Sequence, residues 1–189
     1  MVASGVATRP TSGADGLMLP TSKWVIAPPR KAFVVGVADM VVSNDSSAEI
    51  VTYSLGSCLG VTIYDPVKKI GGLLHLMLPD STIDAAKAIG APFMFVDTGV
   101  PRLFHAAYNL GAERRRLVVK VAGGAQLLDQ QGVFNIGSRN FAALEKLLAQ
   151  NGLNIHATDV GGLSSRTIRL DLANGNFSVK TPGAAPYSL

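Results

Sequence analysis

Cys58 is the single thiol among 189 residues, and it sits in the run Ile50-Val51-Thr52-Tyr53-Ser54-Leu55-Gly56-Ser57-Cys58-Leu59-Gly60-Val61. A lone cysteine beside Leu and Val is ordinarily a small buried hydrophobe. Three features set a reactive thiol against that reading. Gly56 and Gly60 flank it, so the backbone can turn tightly and approach a ligand closely. His75 lies in Gly71-Gly72-Leu73-Leu74-His75-Leu76-Met77-Leu78, where an imidazole among apolar neighbours must find a partner or lose solvation free energy. The third feature is geometric. Leu59 to Tyr64 and the run after Lys69 read as an antiparallel hairpin around Asp65-Pro66-Val67-Lys68. Pairing Tyr64 with Lys69 sets Cys58 directly opposite His75, with Cβ atoms about 4.5 to 5.5 Å apart. A slip of one residue would put the two on opposite faces.

An imidazole at that distance favours the thiolate, the form that attacks carbonyl carbon. Thr52 offers a hydroxyl that accepts the proton of the far ring nitrogen and sets the tautomer. A strand threonine chosen for β-propensity reads equally well at that position. Backbone N–H groups around Gly56, Ser57 and Cys58 are candidate donors to an oxyanion. Attack of such a thiol on a carbonyl carbon would proceed with no metal or organic cofactor. One cysteine with His75, His105 and His156 cannot build a multi-cysteine zinc site, nor an internal disulfide.

The elements that must position these residues alternate β-rich runs with two helical segments. Strands are expected at Phe33 to Val37, Glu49 to Ser54, Leu59 to Tyr64, Ile70 to Leu78, Leu117 to Val121, Leu153 to Val160, Thr167 to Leu172 and Phe177 to Lys180, with Asn174-Gly175 turning between the last two. A helix capped by Ser138 places Phe141, Leu144, Leu147 and Leu148 on one face and stops at Gly152. A second covers Val100 to Leu110, with Pro101 in its first turn and Leu103, Phe104, Ala107 and Leu110 buried. The expected fold is α+β, with short, mostly antiparallel strands and two or more flanking helices. Residues 1–31, rich in Gly, Pro, Ser, Thr and Ala, read as a flexible extension, 32–180 as one domain and 181–189 as a tail. Trp24, Val25 and Ile26 are the apolar exception in the extension.

The net charge of +4 raises the question of a polyanion partner. Three of those four charges fall in residues 1–31, leaving the folded part nearly neutral. Arg114, Arg115 and Arg116 form the one basic run, read here as a solvated loop, and no nucleic-acid partner is expected. Apolar stretches are cut by Asp97, Pro101 or glycine pairs before membrane-spanning length, so neither a targeting segment nor membrane insertion is expected. The expected compartment is the cytoplasm.

At these residues the chain resembles the chemoreceptor glutamine deamidase family, CheD. The likeness consists of Val51-Thr52, Leu55-Gly56-Ser57-Cys58, Tyr64-Asp65-Pro66, Gly71-Gly72 and His75-x-Met77-Leu78-Pro79, in order. It continues through Asp97-Thr98, Gly123-Gly124-Ala125, Ile136-Gly137-x-Arg139-Asn140 and Asp159-Val160-Gly161-Gly162 to Arg166. The resemblance implies a Cys, His, Thr triad on Cys58, His75 and Thr52. It implies a β-sandwich-like core similar to the catalytic domains of deamidating bacterial toxins. It also implies two partners, the cytoplasmic helices of chemoreceptors as substrate and a CheC-type phosphatase as regulator. The family pattern has Gly before the last arginine, where this chain has Ser165. A non-catalytic receptor or CheC adaptor, and a thiol hydrolase acting on glutamyl methyl esters, stay open beside deamidation.

Overall fold

In a computed structural model, residues 30–127 and 135–189 are described. The expectations for the extension up to residue 29, Trp24 included, lie outside the described residues. The strands are β1 (Lys31–Val34), β2 (Asp39–Ser43), β3 (Ala48–Leu55), β4 (Leu59–Asp65), β5 (Ile70–Leu76), β6 (Val118–Gly123), β7 (Ala157–Val160), β8 (Arg166–Asp171), β9 (Phe177–Lys180) and β10 (Tyr187–Ser188). The helices are α1 (Ala85–Gly90), α2 (Val96–Asn109) and α3 (Ile136–Gln150).

Strands β4 and β5 are buried at every position, which requires cover on both faces. That cover is a second sheet on one side and two helices on the other. The first sheet runs β1-β3-β8-β9-β10 and the second β2-β5-β4-β6-β7. Ile50, Ile168, Leu170, Phe177 and Val179 of the first sheet meet Leu73, Tyr64 and Ala122 of the second in one core layer. Val61, Ile63, Leu74, Leu76, Val119 and Val121 point the other way, onto Val100, Leu103 and Phe104 of α2 and Leu144 and Leu148 of α3. The α+β expectation therefore holds, as two mixed sheets: β1 pairs parallel with β3 and β6 parallel with β7, and the other pairings are antiparallel.

Several boundaries differ from the sequence reading for local reasons. Helix α3 starts at Ile136, after Asn135 in left-handed backbone with φ 46°, a conformation asparagine tolerates, so Ser138 lies inside the first turn and caps nothing. Helix α2 starts at Val96 rather than Val100, which places Pro101 inside the helix, and Leu110 is exposed at its end. Strand β2 and helix α1 were not anticipated. The run expected as one strand over Phe33 to Val37 breaks after Val34, and 35–38 cross from the first sheet to the second. The residues after Lys180 are tied to the domain. Strand β10 pairs with β9, Tyr187 donates to Asp159, and Lys120 donates to the Leu189 carbonyl. Arg116, expected to be solvated, instead pairs with buried Asp65.

Candidate active site

Thr52 and Leu55 both point into the inter-sheet layer, 1% and 0% exposed, although they lie three positions apart along the strand. A β-bulge makes this possible. The pairing of β3 with β8 shifts between Thr52 and Leu55, and Ser54 takes left-handed backbone with φ 56°, so Tyr53 and Ser54 both turn outward. The bulge delivers Thr52 to the interior and steers the following segment, Gly56-Ser57-Cys58, across the end of the sandwich.

The hairpin β4–β5 forms as expected, but its register is displaced. Tyr64 lies opposite Gly71 and His75 opposite Gly60, not Cys58. The cause is Asp65. Its carboxylate accepts the N–H groups of Val67 and Lys68, at 3.0 and 3.1 Å, so Asp65 is the last strand residue and the turn starts one residue later. Each strand moves by one residue, which keeps parity. Cys58, just outside β4, stays on the His75 face as a diagonal neighbour, where opposed Cβ atoms would have been closer. At Gly60 that face is filled by the first sheet: a Cβ there would come within 2.3 Å of Ile168 Cδ1 and 2.9 Å of Leu55 Cδ1, so only glycine fits opposite His75.

His75 is 2% exposed, and its Nδ1 lies 2.8 Å from Thr52 Oγ1. The same hydroxyl donates to the Val35 carbonyl at 2.8 Å. A threonine has one hydroxyl proton, and a carbonyl can only accept, so that proton belongs to Val35. Thr52 must then accept from His75 Nδ1–H. The tautomer follows: Nε2 carries the lone pair. Nε2 is buried and has no hydrogen-bond partner among the described residues, the Cys58 thiol included. A neutral imidazole in this tautomer has at Nε2 a lone pair that can take up a proton.

The structure thus unites Thr52 and His75 directly, whereas Cys58 packs against the same inter-sheet layer and hydrogen-bonds to neither. Cys58 is half-buried against the inter-sheet layer. Burial pushes its thiol up from the ordinary value, with its own backbone N–H opposing, and burial pushes the His75 imidazole down. Both shifts favour neutral partners. These directions run against the resting thiolate expected from the sequence.

Two further groups were given no role in the sequence reading. Val35 contributes only a backbone carbonyl, which no residue type announces. The other is Asn140, fully buried on α3, whose Nδ2 donates to the carbonyls of Ser57 at 3.2 Å and Met77 at 2.8 Å. The carbonyls on either side of Ser57 are also taken: Gly56 O accepts from Ala125 N–H at 2.7 Å and Cys58 O from Gly124 N–H at 2.8 Å. Gly56 and Ser57, expected as oxyanion contributors, thus have their carbonyls committed elsewhere.

A family model described as CheD chemotactic sensory transduction matches residues 77–181, just downstream of His75. The chain belongs to the CheD family. It is 48% identical over 150 residues to a probable chemoreceptor glutamine deamidase CheD of Solibacter usitatus, covering 79% of this chain and 89% of the relative. A Syntrophus aciditrophicus protein, probable chemoreceptor glutamine deamidase CheD 1, is 47% identical over 79% of this chain and 94% of its own length. The Anaeromyxobacter dehalogenans CheD 2 is 44% identical over 78% and 92%. Inside the CheD span, the motif ending in Arg166 has a structural task here. Arg166 grips Asp159 through two nitrogens at 2.9 and 2.8 Å and donates to the carbonyls of Gly161 at 2.8 Å and Ser164 at 3.1 Å. This arginine anchors the loop that contains Ser165.

Proposed function

We propose that this chain deamidates glutamine side chains on the cytoplasmic helices of chemoreceptors, with Cys58 as nucleophile, His75 as acid and base, and Thr52 orienting His75. The observation that carries the reading is the His75 ring, with Nδ1 fixed by Thr52 and Val35 and a buried, unpartnered Nε2 on the face that Cys58 shares. The names of the relatives point to the same substrate.

The chemistry runs as an acyl transfer. The Cys58 proton moves to His75 Nε2 as sulfur bonds to the carboxamide carbon, and the carbonyl π electrons pass to oxygen. The N–H groups of Ser57 and Cys58 receive that oxyanion; the carbonyls of the same loop are already bonded away from it. Collapse breaks the C–N bond, and imidazolium gives its proton to the departing nitrogen, releasing ammonia. Water then attacks the thioester while Nε2 takes a proton from it. The C–S bond breaks, the proton returns to sulfur, and glutamate is left. Burial favours the neutral thiol and the neutral imidazole, so each cycle begins and ends without a charge on this pair.

No described helix is long and apolar enough to cross a membrane. Action in the cytoplasm follows from the proposed substrate, and a CheC-type phosphatase is the regulator we propose. The test is mass spectrometry of a receptor fragment incubated with wild type or Cys58→Ala. Wild type alone should produce the mass gain of amide to acid at discrete glutamines. Equal conversion by Cys58→Ala would refute the thiol route, and an unmodified fragment that still binds would favour the adaptor reading.

A further inference from the structure

Asn140 is a buried amide with no place in the proton relay, and its contacts connect the two strand ends that bear the proposed reacting groups. Its Nδ2 donates to Ser57 O, one residue before Cys58, and to Met77 O, two residues after His75. We propose that Asn140 is a positioning residue that sets the separation between the Cys58 thiol and His75 Nε2, and this rests on the nucleophile assignment above.

Three observations carry it. The side chain is fully buried, yet its Oδ1 has no partner among the described residues, so the amide is kept at that site despite an unpaired acceptor. Only a group with two N–H donors satisfies both carbonyls at once, which threonine or serine cannot do. The surroundings are also shaped to bring α3 this close. A Cβ on Gly137 would lie 2.2 Å from Gly124 O, and one on Gly123 would lie 2.3 Å from Cys58 O. Both glycines are replaceable by nothing larger without moving backbone, and Gly124 N–H is the group that holds Cys58 O. The first turn of α3 is thus pressed against Gly124, which in turn holds the Cys58 carbonyl, and Asn140 ties the helix to both strand ends.

A thiol held diagonal to its base, without a preformed hydrogen bond, depends on this tie more than a directly opposed pair would. Loosening it should lower the rate while leaving substrate binding alone. The variants are Asn140→Ala and Asn140→Leu, made in the full chain. Leucine removes the unpaired oxygen and fills the volume, so at least one variant is expected to fold. Both should lose about 100-fold in kcat for the receptor fragment, with KM within about two-fold, the scale of an ångström-level misplacement. The pH profile of Cys58 alkylation by iodoacetamide supplies a readout independent of substrate. In wild type the rate should drop in acid as His75 takes up a proton, and in both variants that inflection should vanish. If the more stable variant is as slow as the less stable one, the effect is positional and not a matter of stability. A folded Asn140→Leu with wild-type kcat and an intact inflection would overturn this inference. Cys58→Ala is measured alongside: if it keeps activity, the nucleophile assignment fails, whereas an inactive Cys58→Ala beside a normal Asn140→Leu would sink the positioning role alone.

Discussion

The β4–β5 hairpin has a buried polar group near each end, and the two could hardly be treated more differently. At its far end, Asp65 is fully buried, and all of its acceptor capacity is used. It takes the N–H groups of Val67, Lys68 and Glu113, and Arg116 reaches both oxygens, with Nη2 2.8 Å from Oδ2 and Nε 3.0 and 3.1 Å from the two. Burial alone would raise this carboxyl, but Arg116 and the backbone donors outweigh it and hold it well below the usual carboxylate range. At the near end, His75 keeps an unpaired nitrogen beside a half-buried thiol that hydrogen-bonds to neither ring nitrogen. A satisfied cluster fixes the fold, whereas an unsatisfied one retains capacity for a substrate. The comparison predicts that damage to one end should appear in stability and damage to the other in rate.

The largest effect is expected from Cys58→Ala, which should lower deamidation by about 10⁴-fold or more while the melting temperature stays near wild type. Asp65→Ala is its counterpart. Stranding Arg116 and three backbone donors should lower the melting temperature by about 10 °C or more, with the folded fraction keeping its kcat. Calorimetry and steady-state rates on both variants would break the comparison if each lost stability and rate in equal measure.

His75→Ala should cost nearly as much rate as Cys58→Ala, because no other described group is placed to take the thiol proton. Thr52→Val is milder, about ten-fold, since it frees the ring to adopt the other tautomer without removing it. Nitrogen NMR of His75 sharpens this point: Nδ1 should be the protonated nitrogen in wild type and a mixture in Thr52→Val. A wild-type ring protonated at Nε2 would contradict the direction of the Thr52–Val35 chain.

How much of this could be read from sequence varies with the kind of interaction. Cys58, His75 and Thr52 could be nominated from residue type, strand parity and the family resemblance, and of their expected contacts the Thr52–His75 hydrogen bond is present. The register itself was not legible. Asp65 followed by Pro66 looks like a turn residue, and only its burial under Arg116 makes it the last residue of the strand. Arg116 was misread for the same reason, as a charge in a basic run whose partner lies 51 positions away. Helix interiors were clear from their apolar spacing, but the start of α3 depends on left-handed Asn135. Strand β2 escaped notice because it follows directly on the crossover at 35–38 that splits the expected first strand. The Val35 carbonyl has no sequence signature, and Asn140 became meaningful only once Ser57 and Met77 were seen on either side of it.

The smallest effect concerns acid. Both shifts are downward, so both groups contribute stability above their ordinary values and lose it as pH falls. For His75 the loss begins below its ordinary value of 6.5, as the unfolded chain takes up a proton that the buried ring refuses. For Asp65 it begins lower, below the ordinary carboxylate value of 3.8. Denaturant titrations should therefore show two separate declines, and His75→Gln should remove only the upper one. Persistence of the upper decline in that variant would detach it from the ring.

The reactive character of the near end is tested most directly by catching the covalent intermediate. Wild-type enzyme quenched in acid during turnover of a receptor fragment should carry that fragment as an adduct on Cys58, with ammonia already lost, and hydroxylamine should release it. An active enzyme that never shows an adduct at Cys58, under conditions where hydrolysis is slowed, would contradict the account.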